Sequence, residues 1–299
     1  MPSTAARTDQ VAWTRLTDGD GHPLDLLHAR ILRQHYAPHL HEQFAVGVCQ
    51  DGLEVIRYRR TQYRTGPGAL VVLEPGEAHT GGPALATGFS YRAMYPRGAL
   101  LLEASGGTPH FPEPVIHDPA LASALTALHS AMTSGLEPLA AESGLTWLLG
   151  HLVRRHAAPA RPSVAVRGTD RIAERVMAQL ADRMTHPPTL AEIAQDLGLS
   201  RYQTLRAFRE RVGMPPYAWL AQHRVTRARR LLEAGARPAE VAAAVGFADQ
   251  AHLTRWFRRV VGVTPGAYRE STARYRTRVD GGRNSVQDVS GATAHADPG

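Results

Sequence analysis

The chain has 299 residues, enough for two domains of ordinary size, and 43% of them are hydrophobic, which excludes a mostly disordered polymer. No apolar run approaches the ~18 residues that span a bilayer. The stretch Met1 to Gln10 is polar and lacks the apolar core of a signal peptide, so a cytoplasmic location is expected. Cys49 is the single cysteine, which excludes an internal disulfide and a CxxC zinc site. Next to Val48 in an alternating apolar run, it reads as a small buried hydrophobe. All 34 basic residues are arginine, and they are unevenly placed. Residues 1–167 carry 14 arginines against 14 acids, residues 168–279 carry 19 against 10, and residues 280–299 carry one against three. A neutral half followed by a strongly basic one is the charge pattern of a sensor joined to a polyanion binder.

From about Leu24 to Tyr95 the chain reads as short strands. Phe44 to Val48, Leu53 to Tyr58 and Ala69 to Leu73 are rich in apolar and β-branched residues. Gln50-Asp51-Gly52, Thr65-Gly66-Pro67-Gly68 and Glu74-Pro75-Gly76 punctuate them, a spacing that suggests a small sandwich or barrel. Helices are expected over Pro119–Thr133 and Pro138–His156. The second carries Leu139, Ser143, Leu145, Leu148, Leu149 and Leu152 on one side, with Arg154 and Arg155 in its last turn. That stripe can pack on its own barrel or on the same helix of a second subunit; residues 116–156 are read as a helical dimerisation segment. Residues 157–168 read as a linker and 272–299 as a disordered tail.

Between linker and tail, one pattern occurs twice. Thr189-Leu190-Ala191-Glu192 is a capping box opening a helix that stops at Gly198. Ser200 caps the next helix, Arg201 to Val212, expected to bury Leu205 and Phe208 before Gly213. A three-residue turn with a glycine between two helices suits a helix-turn-helix. Pro238, Val241, Ala242, Val245 and Gly246 restate the first helix; Asp249, Leu253, Phe257 and Gly262 restate the second. Ser200/Asp249, Phe208/Phe257, Gly213/Gly262 and Pro216/Pro265 are each 49 residues apart, whereas Gly198/Gly246 are 48 apart. A one-residue insertion near Phe247-Ala248 accounts for the difference. Tyr217 to Leu232, with Leu220, Ala221, Val225, Ala228, Leu231 and Leu232 at helical spacing, reads as a rigid connecting helix.

The run Arg224-x3-Ala228-x2-Leu231-Leu232, then Val241-Ala242-x3-Gly246-Phe247-x5-Leu253-x-Arg255-x-Phe257-Arg258-Arg259-x2-Gly262-x-Thr264-Pro265-x2-Tyr268-Arg269, resembles the DNA-binding domain of the AraC/XylS family over residues 169–271. The resemblance implies two recognition helices that read successive major-groove segments of double-stranded DNA. Its base-reading positions fall on Tyr202, Leu205 and Arg206, and on Gln250, Ala251, His252 and Arg255. Arginine pairs with guanine and glutamine with adenine in bidentate fashion. Arg201, Arg209, Arg258 and Arg259 are assigned to phosphates. Thr204 stands where the family carries a larger apolar residue, which implies looser packing behind the first recognition helix.

His35, His39 and His41, then a Pro-Gly turn, then His79 resemble a cupin, and more narrowly the effector-binding domain of AraC-type regulators, over roughly His28 to Arg97 within a domain read as residues 1–115. His35, His39, His41, His79, Tyr91 and Arg92 are candidate pocket residues for a small-molecule effector. No metal and no cofactor is assigned. A catalytic cupin carries a carboxylate three or four residues after His-x-His, where this chain has Ala45 and Val46, and Glu42 directly after His41 should face away from it. A three-histidine metal site stays open as an alternative. The expected protein is an α+β multidomain chain: an N-terminal cupin-like β-barrel with following helices, then an all-α tandem helix-turn-helix domain. The resemblance implies an effector-responsive homodimeric transcription activator, not an enzyme and not membrane-bound, acting with RNA polymerase. The alternative is a cupin metalloenzyme with an accessory basic domain.

Overall fold

The computed structural model describes residues 8–105, 109–158 and 168–273. The expected linker and tail therefore lie largely outside the described residues. In chain order the first elements are β1 (Gln10–Thr17), β2 (Pro23–Ile31), β3 (Tyr36–His39), β4 (Ala45–Gly52), β5 (Glu54–Tyr58), β6 (Thr61–Thr65), β7 (Ala69–Leu73), β8 (His79–Pro83) and β9 (Phe89–Tyr95). Helix α1 (Gly98–Ser105), strand β10 (Val115–His117) and helices α2 (Pro119–Thr133) and α3 (Pro138–His156) follow. The strands form a six-stranded sheet in the order β1-β2-β9-β4-β7-β10 and a four-stranded sheet in the order β3-β8-β5-β6.

The larger sheet is buried on both faces, which is why β4 and β7 read as unbroken apolar runs. Alternate residues go to opposite sides of a strand. Leu24, Leu26, Val46, Val48, Leu70, Val72 and Met94 meet α2 and α3, while Leu27, Ala29, Ala45, Val71, Leu73, Ala93 and Tyr95 face the smaller sheet. Asp118 starts α2 by accepting from the Leu121 N–H at 3.1 Å. On α3, Leu145, Leu148, Leu149 and Leu152 are at most 4% exposed and share the core of Leu24, Val46 and Leu70. Each such burial contributes about 1.5–3 kcal/mol. These leucines are consumed by the chain's own core and are not free to form a subunit seam. Leu139, placed with them from the sequence, is exposed instead.

The C-terminal unit is helical: α4 (Gly168–Asp182), α5 (Leu190–Asp196), α6 (Arg201–Val212), α7 (Pro216–Glu233), α8 (Pro238–Ala244) and α9 (Gln250–Val261), then a helical stretch at 265–273. The Thr189–Glu192 capping box is formed in both directions, and Ser200 makes a second one with Gln203. Asp249 caps α9 by accepting from the His252 N–H at 2.6 Å. Gly213 and Gly262 end α6 and α9 with φ of +79° and +85°, a left-handed conformation that favours glycine. One cluster joins Val176, Leu180, Ile193, Phe208 and Leu220, and another joins Val225, Leu232, Val241, Leu253 and Phe257. Helix α7 contributes to both and so fixes the two helix-turn-helix units to one another.

One core position differs from the sequence expectation. Thr204, not Leu205, is fully buried, and its hydroxyl donates to the Ser200 carbonyl at 3.1 Å. The hydroxyl is thereby satisfied, and Leu205 is left half-buried at the edge.

Candidate effector cavity and nucleic-acid interface

A cavity of about 490 Å³ lies between the two sheets. Of the six residues expected there, His39, His41, His79 and Tyr91 line it; His35 and Arg92 do not. His35 precedes β3, is exposed, and bonds the Arg33 carbonyl through Nδ1 at 3.1 Å. Arg92 fails by strand alternation: Tyr91, Ala93 and Tyr95 face the cavity, so Arg92 faces α2. There its Nη1 donates to Nδ1 of the fully buried His129 at 3.1 Å, and His129 Nε2 donates to the Leu27 carbonyl at 3.0 Å. Burial, then the Arg92 charge, pushes His129 down to about 4, which keeps it neutral as that arrangement requires.

His39, His41 and His79 converge. Their ring nitrogens lie within 4.8 Å of one another, a donor set that suits a transition metal. Burial pushes His39 down to about 4. Burial, with the neighbouring imidazoles adding to it, holds His41 and His79 well below the usual histidine value. All three are neutral at pH 7. Elsewhere on the wall, burial pushes the Glu54 carboxyl up to about 8. Glu54 has no hydrogen-bond or ion-pair partner among the described residues. Tyr91 donates to the Tyr36 hydroxyl at 3.4 Å, and burial pushes the Cys49 thiol up to about 12, so it is an unreactive wall residue.

The remaining wall comes from the C-terminal unit. Val225, Thr226, Arg229, Arg230 and Glu233 of α7, and Val260 and Val261 of α9, line the same cavity. Arg229 pairs with Asp25 at 2.5 Å, donates to the Tyr268 hydroxyl at 3.0 Å and lies over the Trp13 ring, 5.0 Å from its centroid. Arg15 grips both oxygens of Asp25, at 2.7 and 2.8 Å, and also pairs with Glu233. Arg230 pairs with Glu42 at 2.8 Å, and the Trp13 indole donates to the Val261 carbonyl at 3.0 Å. Gln222 clasps the end of β3, accepting from the Leu40 N–H at 3.1 Å and donating to the Pro38 carbonyl.

The two helices to which the resemblance assigns base reading, α6 and α9, point elsewhere. On α6, Arg201, Tyr202, Arg206 and Arg209 are exposed, Tyr202 at 73%. On α9, Gln250, Ala251, Arg255, Arg258 and Arg259 are exposed, and His252 is half-buried with Nε2 3.3 Å from the Tyr217 hydroxyl. Arg201, Arg206, Arg209, Arg255 and Arg258 have no acidic partner among the described residues, whereas Arg211 pairs with Asp170 and Arg237 with Glu240. Positive charge without an acidic protein partner along the exposed faces of both helices is what a phosphate backbone requires. The far end of each helix meets the N-terminal unit. Gln34 donates to the Arg258 carbonyl at 3.0 Å. Arg60 donates to the Glu210 carbonyl at 2.9 Å from a two-residue turn in which Arg59 and Arg60 both have positive φ.

Comparison with known proteins matches this division. Residues 22–149 match the AraC-like ligand binding domain, and residues 193–271 match a helix-turn-helix domain. The chain belongs to the AraC family of transcription regulators. The chain is 27% identical over 228 residues to the HTH-type transcriptional regulator YbfI of Bacillus subtilis, covering 74% of this chain and 82% of that one. It is 31% identical over 179 residues to an AraC-like transcription regulator of Streptomyces antibioticus, covering 57% of this chain and 58% of that one. An apo ToxT structure from Vibrio cholerae shares the fold, with a TM-score of 0.54 at 12% identity over 89% of this chain and 98% of that one. The sequence relatives carry the names of transcription regulators, which sets aside the metalloenzyme alternative.

In this AraC-family protein the residues that sequence reasoning missed are those joining the two units: Trp13, Arg15, Asp25, Gln222, Arg229 and Glu233. A signal existed. Gln222, Thr226, Arg229 and Glu233 recur at helical spacing along α7, forming a polar stripe beside the apolar one.

Proposed function

We propose that the regulator is effector-responsive and that the cavity controls how α6 and α9 meet DNA. The carrying observation is that one cavity is walled by the β-sheets and by α7 and α9 together. A molecule bound there touches the DNA-binding unit directly, and its affinity differs between docked and undocked arrangements because its contacts with α7 and α9 exist only in the docked one. Differential affinity is what a population shift requires. Arg206 and Arg255, with Gln250, read base edges, while Tyr202, Ala251 and His252 pack against them; Arg201, Arg209, Arg258 and Arg259 take phosphates. Leu205, half-buried, adds only apolar contact, so α9 carries more of the sequence reading than α6. A rigid α7 sets the two helices for successive major-groove segments of one face of the duplex.

The test is binding to DNA from the protein's own promoter region across a salt series, with and without candidate effectors, for wild type and Arg255→Ala. Expected are salt-sensitive, sequence-specific binding, a loss of about 1–3 kcal/mol in the variant, and a shift on adding an effector that also raises thermal stability. Sequence-independent binding at every salt concentration, or an effector that stabilises the protein without moving DNA affinity or transcription, overturns the reading. Activation through RNA polymerase, the direction that the resemblance implies, is read from a promoter–reporter assay.

A further inference from the structure

His39, His41 and His79 reach one point of the cavity from the end of β3, the segment after it and the start of β8. His39 stands directly opposite His79 in the antiparallel β3–β8 pairing, so the ladder itself holds those two rings adjacent. Their Nδ1 atoms face the carbonyls two residues earlier, Ala37 at 2.9 Å and Glu77 at 3.1 Å. A carbonyl only accepts, so each Nδ1 carries the proton and each Nε2 is left with a free lone pair. A backbone carbonyl on the second nitrogen is the device that orients metal-ligating histidines. The His41 ring has no polar partner among the described residues and lies edge-on to Tyr95, centroids 4.9 Å apart. His41, with neither ring nitrogen held by a protein partner among those residues, can present a third acceptor beside these two, and three imidazole nitrogens converging on one point of a cavity are the donor set of a metal site.

The geometry points to a divalent transition ion of the zinc class held by His39, His41 and His79, with a remaining coordination position open to the cavity. Three nitrogen donors suit zinc, cobalt or nickel and do not suit calcium or magnesium, which take oxygen ligands. Bonds of ~2.0–2.1 Å around a tetrahedral ion set the nitrogens ~3.3 Å apart. The donor atoms, within 4.8 Å of one another, have to draw closer to reach that spacing, and His41, whose ring has no polar partner among the described residues, is the ring freest to turn. No carboxylate completes the set: Ala45 lines the cavity on β4, and Glu42 is engaged by Arg230. The open position therefore takes water or a donor atom of a cavity ligand. Occupancy also has a route to the DNA-binding unit, because Gln222 of α7 is bonded to both neighbours of His39, Pro38 and Leu40. The site stands independently of whether an organic effector uses the cavity.

Cobalt(II) titration of the metal-stripped full chain, followed by visible absorption, tests this, with zinc competition and elemental analysis after dialysis. Expected are one cobalt per chain, the intense visible bands of a four-coordinate ion, displacement by one equivalent of zinc, and loss of all three signals in His39→Ala and His79→Ala. His41→Asn, at the unrestrained ring, is the conservative variant and should weaken binding at least tenfold while keeping the wild-type circular dichroism. His151→Ala, on the exposed side of α3, should bind as wild type. Wild type that retains no more metal than the variants overturns the site, as do bands that persist in the double variant His39→Ala/His79→Ala. DNA binding measured on the same samples keeps the two proposals apart: a metal-free protein whose DNA affinity responds to an organic effector sinks the metal site alone, while a bound metal with no effect on DNA sinks the coupling through Gln222 alone.

Discussion

The Asp25–Arg229 pair joins a strand of the effector unit to the helix that carries both helix-turn-helix units, and its strength can be bounded from the geometry. At 2.5 Å between Nη2 and Oδ2, with side chains 20% and 13% exposed, the contact is close and mostly shielded. Breaking one partner of a buried pair costs about 3–5 kcal/mol. Here Asp25 keeps the bidentate Arg15, so Arg229→Met should cost about 2–3 kcal/mol, a fall in melting temperature of roughly 5–10 °C. The pairwise part is isolated by a double-mutant cycle with Asp25→Asn, and a coupling of about 1.5–3 kcal/mol is expected. The sign of the pH dependence follows separately. Burial alone would raise the Asp25 carboxyl; Arg229 and Arg15 outweigh it and hold it below the usual carboxylate value. Its contribution is therefore present at neutral pH and lost as pH falls through the depressed value, and Arg229→Met should flatten that acid limb. Thermal unfolding of the four proteins from pH 3 to pH 7 measures both. A coupling below about 0.5 kcal/mol would place the pair among ordinary surface contacts and refute its role as the joint.

Three further outcomes are expected. Glu54 behaves oppositely to Asp25, since burial lifts its carboxyl to about 8. The folded protein then keeps a proton that the unfolded chain releases, so stability falls as pH rises from about 4.5 to 8. Glu54→Gln should leave stability near pH 4.5 unchanged and raise it by ~3 kcal/mol at pH 8.5, less than the ~5 kcal/mol of the full shift because the carboxylate faces the cavity; equal pH profiles for the two proteins would refute this. Arg209→Ala should weaken binding to all DNA sequences alike and reduce the salt slope by about one, whereas Arg206→Ala should relax preference at a single base position. Leu148→Ala should cost about 2–5 kcal/mol without changing the mass of the protein in solution, because Leu148 belongs to the chain's own core; dissociation of a stable dimer into stable monomers would refute that.

The C-terminal unit was legible from sequence because its signals are local. The capping box at Thr189, the Ser200 and Asp249 caps and the terminal glycines each state a boundary within four residues, and the 49-residue repetition states it twice. The buried face of α6 was misread by one position because a threonine can satisfy its hydroxyl against the preceding turn, so Thr204 enters a core that its polarity argues against. In the N-terminal unit, β4, β5 and β7 announced themselves as apolar runs. β1 did not, because its one large aromatic, Trp13, packs on the other unit, and Arg15 is buried only by its partners Asp25 and Glu233. The cavity was half legible. Histidine spacing pointed to His39, His41 and His79, but period-two alternation, applied from Tyr91, would have turned Arg92 away from it.

The joint between the units is made of charge and hydrogen bonds more than of apolar surface, and this bears on its use as a switch. Arg15, Arg229 and Arg230 on the cavity wall are matched by Asp25, Glu233 and Glu42, so docking neutralises charges that water would otherwise solvate. Such contacts nearly balance their desolvation cost, unlike burial of a large apolar face. Inter-domain contacts of this polar kind are reversible by default. Moving a two-state equilibrium from 1:99 to 99:1 needs a difference of about 5.5 kcal/mol between the states. A joint of a few near-neutral ion pairs leaves the docked state within reach of that figure. A ligand that contacts Arg229 or Val225 in the docked form, and loses those contacts when α7 departs, supplies a difference of the same order. A joint built from leucines, such as the one α3 makes with its own sheet, would have fixed α6 and α9 permanently.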